Sequence, residues 1–199
     1  MGKIIPEEVY EKFALWSKEA EGTWVERCVN VAEAAKRIAE AAGLDKDKAY
    51  AMGLLYDIGK INGDTGVRHT IDGYNFLKEE GYDDIARVCI THAFITRDVT
   101  NTIGEYDVTN DEYDFLRQYL ENIQYNEYDK LVQLADSMSM PDRFVLIETR
   151  IIDICLRYGM NENMLESTKE IFKIQAEMEN KLGHSVYKLF PEIRDNLGI

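Results

Sequence analysis

The spacing of apolar residues along the chain is typical of amphipathic helices. Apolar side chains recur at intervals of three and four, as in the stripe formed by Val25, Val29, Ala32, Ala35 and Ile38. Glycine, asparagine and aspartate fall between the periodic segments, where they mark turns and helix ends. The chain contains only three prolines, and each lies near the edge of a helical pattern. This pattern predicts an all-α fold.

The periodic segments follow one another with short interruptions. Helices are predicted over residues 6–16, 24–42, 46–58, 71–79, 85–93, 112–122, 127–138, 143–158 and 164–182, with a short tail helix at 185–190. The polar segments 61–69 and 94–109 are predicted loops, and the second is long enough to carry a binding site. Because no repeat or linker divides the chain, we expect one compact multi-helix bundle over residues 1–199.

Charge and cysteine usage narrow the possible partners and location. The formal net charge of −14 opposes binding to long nucleic acids and to anionic membrane surfaces. It leaves a small phosphorylated ligand possible, since a few basic residues suffice to bind one. Cys28, Cys89 and Cys155 lack metal-site spacing and fit free thiols in a reducing compartment. No segment has the length of a transmembrane helix, so a cytoplasmic location is expected.

Four short segments carry the residues best suited to chemistry. They are GLLYDIGK (53–60), RHT (68–70), ITHA (90–93) and LVQLADSM (131–138). Asp57 and Asp136 end apolar helical segments, where a carboxylate is costly unless a cation or a metal compensates it. His69 and His92 are two of the three histidines in the chain. Taken singly, Asp57 and each histidine fit a structural role better than a functional one.

The order of these segments resembles that of the HD-domain (histidine–aspartate) phosphohydrolases. LLYDIGK is similar to the LLHDIGK of that family, and the later histidines and the LAD segment follow in the family's order. The resemblance is strongest over residues 24–140, with residues 141–199 expected as C-terminal helices packed on that part. It implies a helical fold and metal-dependent hydrolysis of phosphate esters.

The resemblance also implies which residues would bind metal, and two positions depart from it. The family's aspartate ligands fall on Asp57 and Asp136, while two of its ligand histidines are replaced by Arg27 and Tyr56. Arginine has no lone pair to donate, and tyrosine would have to bind as phenolate. The further histidines of binuclear members would be His69 and His92. A one-metal site of the usual kind is therefore expected to be incomplete.

Two hypotheses follow for this degenerate site. In the first, the guanidinium of Arg27 takes the place of the cation and bridges Asp57 and Asp136. In the second, Asp57, His69 and His92 still bind a divalent metal such as zinc, manganese, iron or magnesium. A protein without any metal stays open as an alternative.

Basic residues near these segments are candidates for binding phosphate. Lys60, Arg68 and Arg97 lie beside the candidate ligands or in the adjoining loops, and Arg27 adds a fourth charge. Asp57, Lys60 and Arg68 are the candidate catalytic residues. For each of the basic residues, a solvated surface charge is the alternative interpretation.

The sequence thus supports two main functions of different classes. The first is a metal-dependent phosphohydrolase acting on a small phosphate ester or nucleotide. The second is an inactive HD-fold protein that binds a phosphorylated small molecule or acts as a scaffold. A helical bundle without any pocket chemistry is the third and weakest interpretation.

Overall fold

The computed structural model describes residues 4–63, 65–102 and 104–196. In these ranges the chain forms ten α-helices and no β-strand, which confirms the predicted all-α fold. None of these helices has the length and apolar content that a bilayer-spanning segment requires. The α-helices are α1 (Pro6–Trp16), α2 (Trp24–Ala41), α3 (Lys46–Leu55), α4 (Arg68–Glu79), α5 (Asp83–Thr91), α6 (Asn110–Asn122), α7 (Glu127–Ser137), α8 (Ile147–Tyr158), α9 (Glu162–Leu182) and α10 (Glu192–Asn196).

Several helix ends differ from the sequence predictions. The chain between α7 and α8 folds back on itself, with Met140 N donating to Arg143 O and Val145 N donating to Met138 O, both at 2.9 Å. This turn delays the start of α8 to Ile147. Two short 3₁₀ helices are present. Val186–Leu189 lies within the predicted tail helix, and Ile58–Asn62 runs from the predicted end of the third helix into the predicted loop. Residues 64 and 103 of the predicted loops lie outside the described residues.

The main core is built around α2 and α3, which cross closely. A Cβ on Gly53 of α3 would lie 2.9 Å from the Cα of Ala32 in α2, so the crossing requires glycine at that position. Side chains of the C-terminal part, such as Ile171, Ile174 and Phe190, belong to the same buried cluster as those of α2, α3, α5 and α7. The C-terminal helices thereby cover the part of the chain that carries the candidate chemistry.

The carboxylate of Asp129 joins α7 to α5. Asp129 is 0% exposed and accepts from Arg87 Nε at 2.9 Å and Nη2 at 2.6 Å. It also accepts from Thr91 Oγ1 at 3.0 Å and from the backbone N–H of Asn126 at 2.8 Å. Thr91 directly precedes His92, so this network fixes the end of α5 where that histidine lies.

Helix α4 approaches the end of α3 at a glycine. A Cβ built on Gly59 would lie 2.0 Å from the carbonyl oxygen of His69 and 2.7 Å from the backbone nitrogen of Gly73. Both neighbours are backbone atoms, which cannot move aside as a flexible side chain can. Gly59 therefore allows α4 to bring His69 against the segment that follows α3.

Replacing Gly59 by alanine should separate α4 from this segment. We expect a loss of at least about 3 kcal/mol in the free energy of unfolding, at the upper end for an overpacked core. Urea unfolding followed by circular dichroism measures this loss. Gly43→Asn is the control, because Gly43 has a φ of 70° and nothing near it, and asparagine tolerates that conformation. An equal effect of both substitutions would contradict the proposed close approach.

Candidate functional site

The site begins where α3 ends. Helix α3 stops at Leu55, and the chain turns through Tyr56 and Asp57 into the 3₁₀ helix Ile58–Asn62. Asp57 is 1% exposed, so its carboxylate faces the interior. Burial raises the pKa of Asp57, but the ammonium of Lys60 together with the contacts to His69 and His92 outweighs burial and brings the pKa well below its ordinary value. The carboxylate is thus ionised at neutral pH.

Three potential metal ligands converge beside this turn. His69, in the first turn of α4, places Nε2 at 3.2 Å from Asp57 Oδ1. His92, directly after α5, places Nε2 at 3.3 Å from the same oxygen. The two Nε2 atoms lie 3.4 Å apart. We refer to Asp57 Oδ1, His69 Nε2 and His92 Nε2 as the ligand triangle.

The hydrogen bonds of the Nδ1 atoms determine whether the Nε2 atoms of the triangle can offer lone pairs to a metal. His69 Nδ1 contacts the carbonyl oxygen of Gly66, and His92 Nδ1 lies 3.0 Å from that of Val88. A carbonyl oxygen can only accept, so both Nδ1 atoms donate, and in the neutral rings both Nε2 atoms carry lone pairs. Asp57 Oδ1 accordingly has no hydrogen-bond partner among the described residues, although two nitrogens lie within 3.3 Å. With both rings neutral, three electron-pair donors therefore face one another.

The triangle fits a divalent metal in size and chemistry. Ligands at 2.0–2.1 Å from a tetrahedral zinc lie about 3.3 Å from one another, and the triangle has edges of 3.2, 3.3 and 3.4 Å. Two imidazoles and one carboxylate suit zinc, iron or manganese better than magnesium, which prefers oxygen ligands. Asp57, His69 and His92 form a possible metal-binding group, as the second hypothesis expects.

Lys60 forms an ion pair with the other oxygen of the buried Asp57 carboxylate. Its ammonium lies 2.7 Å from Asp57 Oδ2 and leaves Oδ1 to the triangle. An ammonium has three N–H donors, so two remain after this ion pair. Lys60 was predicted as a catalytic and phosphate-binding residue, and the structure places it within the site.

Arg27 pairs with one carboxylate and not with two. Its guanidinium donates to Asp136 Oδ1. In the described structure Asp57 makes its ion pair with Lys60, and its other oxygen lies beside the two histidines of the triangle. The expected bridge between Asp57 and Asp136 is therefore absent from the described contacts, because Lys60 already neutralises Asp57. Asp136 was carried over as a metal ligand, but its carboxylate faces Arg27 and is not part of the triangle.

Tyr56 separates Arg27 from the triangle. It is 1% exposed, its ring packs edge-on against His92 at 4.8 Å between centroids, and the Arg27 guanidinium lies 6.0 Å from its centroid. Burial raises the pKa of Tyr56 well above its ordinary value. The side chain is thus a neutral phenol, which is a poor metal ligand.

Two of the predicted phosphate-binding residues are engaged elsewhere. Arg68 makes a two-pronged ion pair with Glu112 of α6, at 2.9 and 2.7 Å. Arg97 is exposed and donates to Ile123 O and to the side chain of Gln124, each at 3.3 Å. The guanidinium groups of Arg68 and Arg97 therefore bind residues in and just after α6, and these contacts hold loops in place.

A further arginine was missed by the sequence reasoning. Arg150 in α8 is 6% exposed, and its Nη1 donates to Asp153 Oδ2 at 2.5 Å. The signal was present as a single arginine on a helix face that also carries Ile147, Ile151 and Ile154. Arg150 lies outside residues 24–140, where the family resemblance directed the search.

Replacing Arg27 by alanine should leave the Asp136 carboxylate without its cation. The side chains of this pair are 16% and 21% exposed, so we expect a loss of about 2 kcal/mol, less than for a fully buried pair. Chemical unfolding at pH 7 measures it. Arg143→Ala, which removes the exposed pair with Asp142, is the control and should change stability by less than about 0.5 kcal/mol.

The difference in stability between Arg27→Ala and wild type should depend on pH. Burial raises the pKa of Asp136, but the charges of Arg27 and Arg150 together outweigh burial, with Arg27 the larger of the two, so the folded-state pKa lies below the ordinary value. The stability contributed by the pair is therefore complete above the unfolded pKa of about 4 and is lost as the pH falls through the folded pKa. A difference between Arg27→Ala and wild type that stays constant into strong acid would contradict this assignment.

Comparison with known proteins agrees with the site. The family model described as "HD domain" matches residues 24–140, which is more than half of the chain. No curated protein and no solved structure matches. The matched range contains all three ligands of the triangle together with Arg27, Tyr56, Lys60 and Asp136. The family predicted from the sequence is confirmed: the chain belongs to the HD-domain family, a superfamily of metal-dependent hydrolases.

Proposed function

We propose that the protein is a metal-dependent phosphohydrolase that cleaves a small phosphate ester, such as a nucleotide, into an alcohol and phosphate. The observation that carries the proposal is the ligand triangle, in which three lone-pair donors meet at 3.2–3.4 Å while both Nδ1 atoms are fixed by carbonyl oxygens. Such an arrangement is unfavourable when empty and favourable around a cation.

Each residue of the site has a definite role in this proposal. Asp57, His69 and His92 would hold a divalent cation, which supplies Lewis acidity towards a phosphoryl oxygen and water. Lys60 helps to keep Asp57 ionised, and its remaining N–H donors would bind the phosphoryl oxygens. The carbonyl oxygens of Gly66 and Val88 hold the imidazoles in the tautomer that can bind a metal.

Binding and turnover can be tested on the wild-type protein. Protein prepared without chelator and incubated with zinc, manganese, iron or magnesium should retain about one ion per chain by elemental analysis. A screen of phosphate esters and nucleotides with the retained metal should then release inorganic phosphate, and removal of the metal with a chelator should stop it. A metal content near zero after all four incubations would rule out the proposal.

A second function, binding of a phosphorylated molecule without turnover, is favoured by the ion pair of Arg27 with Asp136. Both residues of the pair stand at positions where the family resemblance expects metal ligands, and Arg27 brings a fixed positive charge to them. Thermal-shift measurements with the same esters separate the two functions. Stabilisation by an ester that is not hydrolysed supports binding alone, whereas release of phosphate supports catalysis.

A further inference from the structure

Three consecutive backbone N–H groups at the start of α4 donate to the end of the long loop between α5 and α6. Gly66 N donates to Asp107 Oδ2 at 2.7 Å, and Arg68 N donates to Asp107 Oδ1 at 2.8 Å. Val67 N, between them, donates to the carbonyl oxygen of Glu105 at 2.9 Å. The N-cap residue of α4 is Val67, whose side chain cannot accept a hydrogen bond, so Asp107 supplies the cap from outside the helix.

These contacts fix the peptide group that orients His69. The carbonyl of Gly66, which contacts His69 Nδ1, and the N–H of Val67 belong to one planar, trans peptide group. The two bonds point in opposite directions in that plane, so the hydrogen bond from Val67 N to Glu105 also sets the direction of the carbonyl. Asp107 holds the peptide groups on either side, which restrains the one between them from rotating.

The two segments approach too closely for any residue larger than glycine. A Cβ on Gly66 would lie 2.1 Å from the carbonyl oxygen of Glu105 and 3.0 Å from Asp107 Oδ1. Arg68 adds a contact in the reverse direction, because its Nε donates to the carbonyl oxygen of Asp107 at 3.0 Å while its guanidinium pairs with Glu112. The end of the loop and the start of α4 are therefore fastened to each other from both sides.

We propose that Asp107 is a positioning residue of the metal site, which acts on His69 through the carbonyl of Gly66. A neutral imidazole has two tautomers, and only the one with its proton on Nδ1 leaves Nε2 free to bind a metal. The Gly66 carbonyl selects that tautomer, and the Asp107 carboxylate holds the carbonyl in place. Its negative charge also suits the positive end of the helix dipole at the start of α4. The role rests on the proposed function, since it gives the ligand triangle its metal-binding form.

The tautomer of His69 tests this role in metal-free protein. In ¹H–¹⁵N spectra at about pH 8.5, where an ordinary imidazole is neutral, wild type should show His69 with its proton on Nδ1. Asp107→Ala should convert His69 into a mixture that includes the Nε2–H form. His92 should stay unchanged, because its Nδ1 donates to Val88 O one helical turn earlier. A His69 tautomer that is the same in Asp107→Ala as in wild type would overturn the proposal.

Metal affinity gives a second measurement. We expect Asp107→Ala to raise the Kd for zinc, measured by competition with a chelator, by about 10–100-fold, as for other groups that orient a ligand. Asp98→Ala is the matched control, because Asp98 lies in the same loop and accepts from Thr100 N and Oγ1 within its own turn. It should keep the wild-type Kd and the wild-type tautomer of His69. Equal losses in both variants would indicate a general loosening of the loop and would overturn the specific role of Asp107.

Asp107→Asn covers the case in which the alanine variant fails to fold. The amide keeps one acceptor oxygen for the N–H of Gly66 or Arg68, while its nitrogen faces the other N–H and cannot accept. The Kd for zinc should rise by about tenfold, at the lower end of the same range. A folded Asp107→Asn with the wild-type Kd and the wild-type His69 tautomer would contradict the proposal.

The two measurements separate this role from the proposed function. If wild type binds none of zinc, manganese, iron or magnesium, the proposed function fails, and the His69 tautomer alone decides whether Asp107 positions the ring. If wild type binds zinc and Asp107→Ala binds it as tightly with an unchanged tautomer, the positioning role fails and the proposed function stands.

Discussion

Replacing Asp57 by asparagine is expected to reduce the metal content from about one ion per chain to near zero. Asparagine removes the only anion of the ligand triangle and leaves two neutral imidazoles, which bind divalent cations weakly. Phosphate release should fall by more than the 10–100-fold that loss of a residue orienting a ligand typically costs. Elemental analysis and phosphate release, measured on the same preparation, give both numbers.

The fold should survive this substitution. The asparagine amide carries two N–H donors, and the Nε2 lone pairs of His69 and His92 lie 3.2 and 3.3 Å from the oxygen it replaces. One of these N–H donors can therefore bond to an imidazole lone pair that has no hydrogen-bond donor in the metal-free protein. We expect the metal-free variant to unfold within about 1 kcal/mol of metal-free wild type, because a new hydrogen bond offsets the lost ion pair with Lys60. Thermal unfolding in chelator measures this.

His184 provides the matched control for the metal ligands. It is the third histidine of the chain, lies between α9 and the 3₁₀ helix Val186–Leu189, and contacts the carbonyl oxygen of Ser185. His184→Gln should retain the wild-type metal content, while His92→Gln should lose it. If Asp57→Asn and His92→Gln both kept a full complement of metal, the triangle would not be the metal site.

The helices and the ligands of the triangle were predictable because their signals are local. Periodicity identifies helices from neighbouring residues alone, and a histidine after a glycine-bearing loop can be recognised without knowing its partners. The spatial meeting of Asp57, His69 and His92 came from the family resemblance, since composition and spacing do not specify which helix ends come together. The close approach at Gly59 explains physically how α4 delivers His69.

The partners of Arg68 and Arg97 were not predictable, because they depend on distant parts of the chain. Arg68 is held by Glu112, 44 residues later, which also caps its own helix through Thr109. Arg97 donates to Ile123 and Gln124, 26 and 27 residues later. A long side chain binds whichever acceptor the packed helices bring within reach, and sequence proximity to a site does not decide this.

Only one half of the bridge expected of Arg27 is present, the pair with Asp136. The prediction treated Asp57 and Asp136 as two carboxylates without cations. Lys60, three residues after Asp57, lies within 2.7 Å of it because the 3₁₀ turn brings positions three apart onto one side. Each carboxylate thus has its own cation, and the triangle keeps an oxygen free for metal.

The largest loss of stability is expected for Asp129→Ala, a residue outside the site. Removing this carboxylate leaves Arg87 without its buried partner, Thr91 Oγ1 without an acceptor and the N-terminus of α7 without part of its cap. Together these should cost about 3–5 kcal/mol, which for a chain of this size lowers the melting temperature by roughly 6–20 °C. Differential scanning calorimetry of the metal-free protein measures the shift.

The substitution should also weaken metal binding, because Asp129 fixes Thr91, the residue that precedes His92. A looser end of α5 lets the His92 imidazole leave the position in which its Nε2 lies 3.3 Å from Asp57 Oδ1. We expect metal affinity to fall by about 10–100-fold, the usual effect of losing a group that orients a ligand. Asp114→Ala removes an exposed pair with Arg117 on α6 and should change neither property. If Asp129→Ala lost stability but bound metal as tightly as wild type, the link from Asp129 through Thr91 to His92 would be wrong, and Asp129 would serve the fold alone.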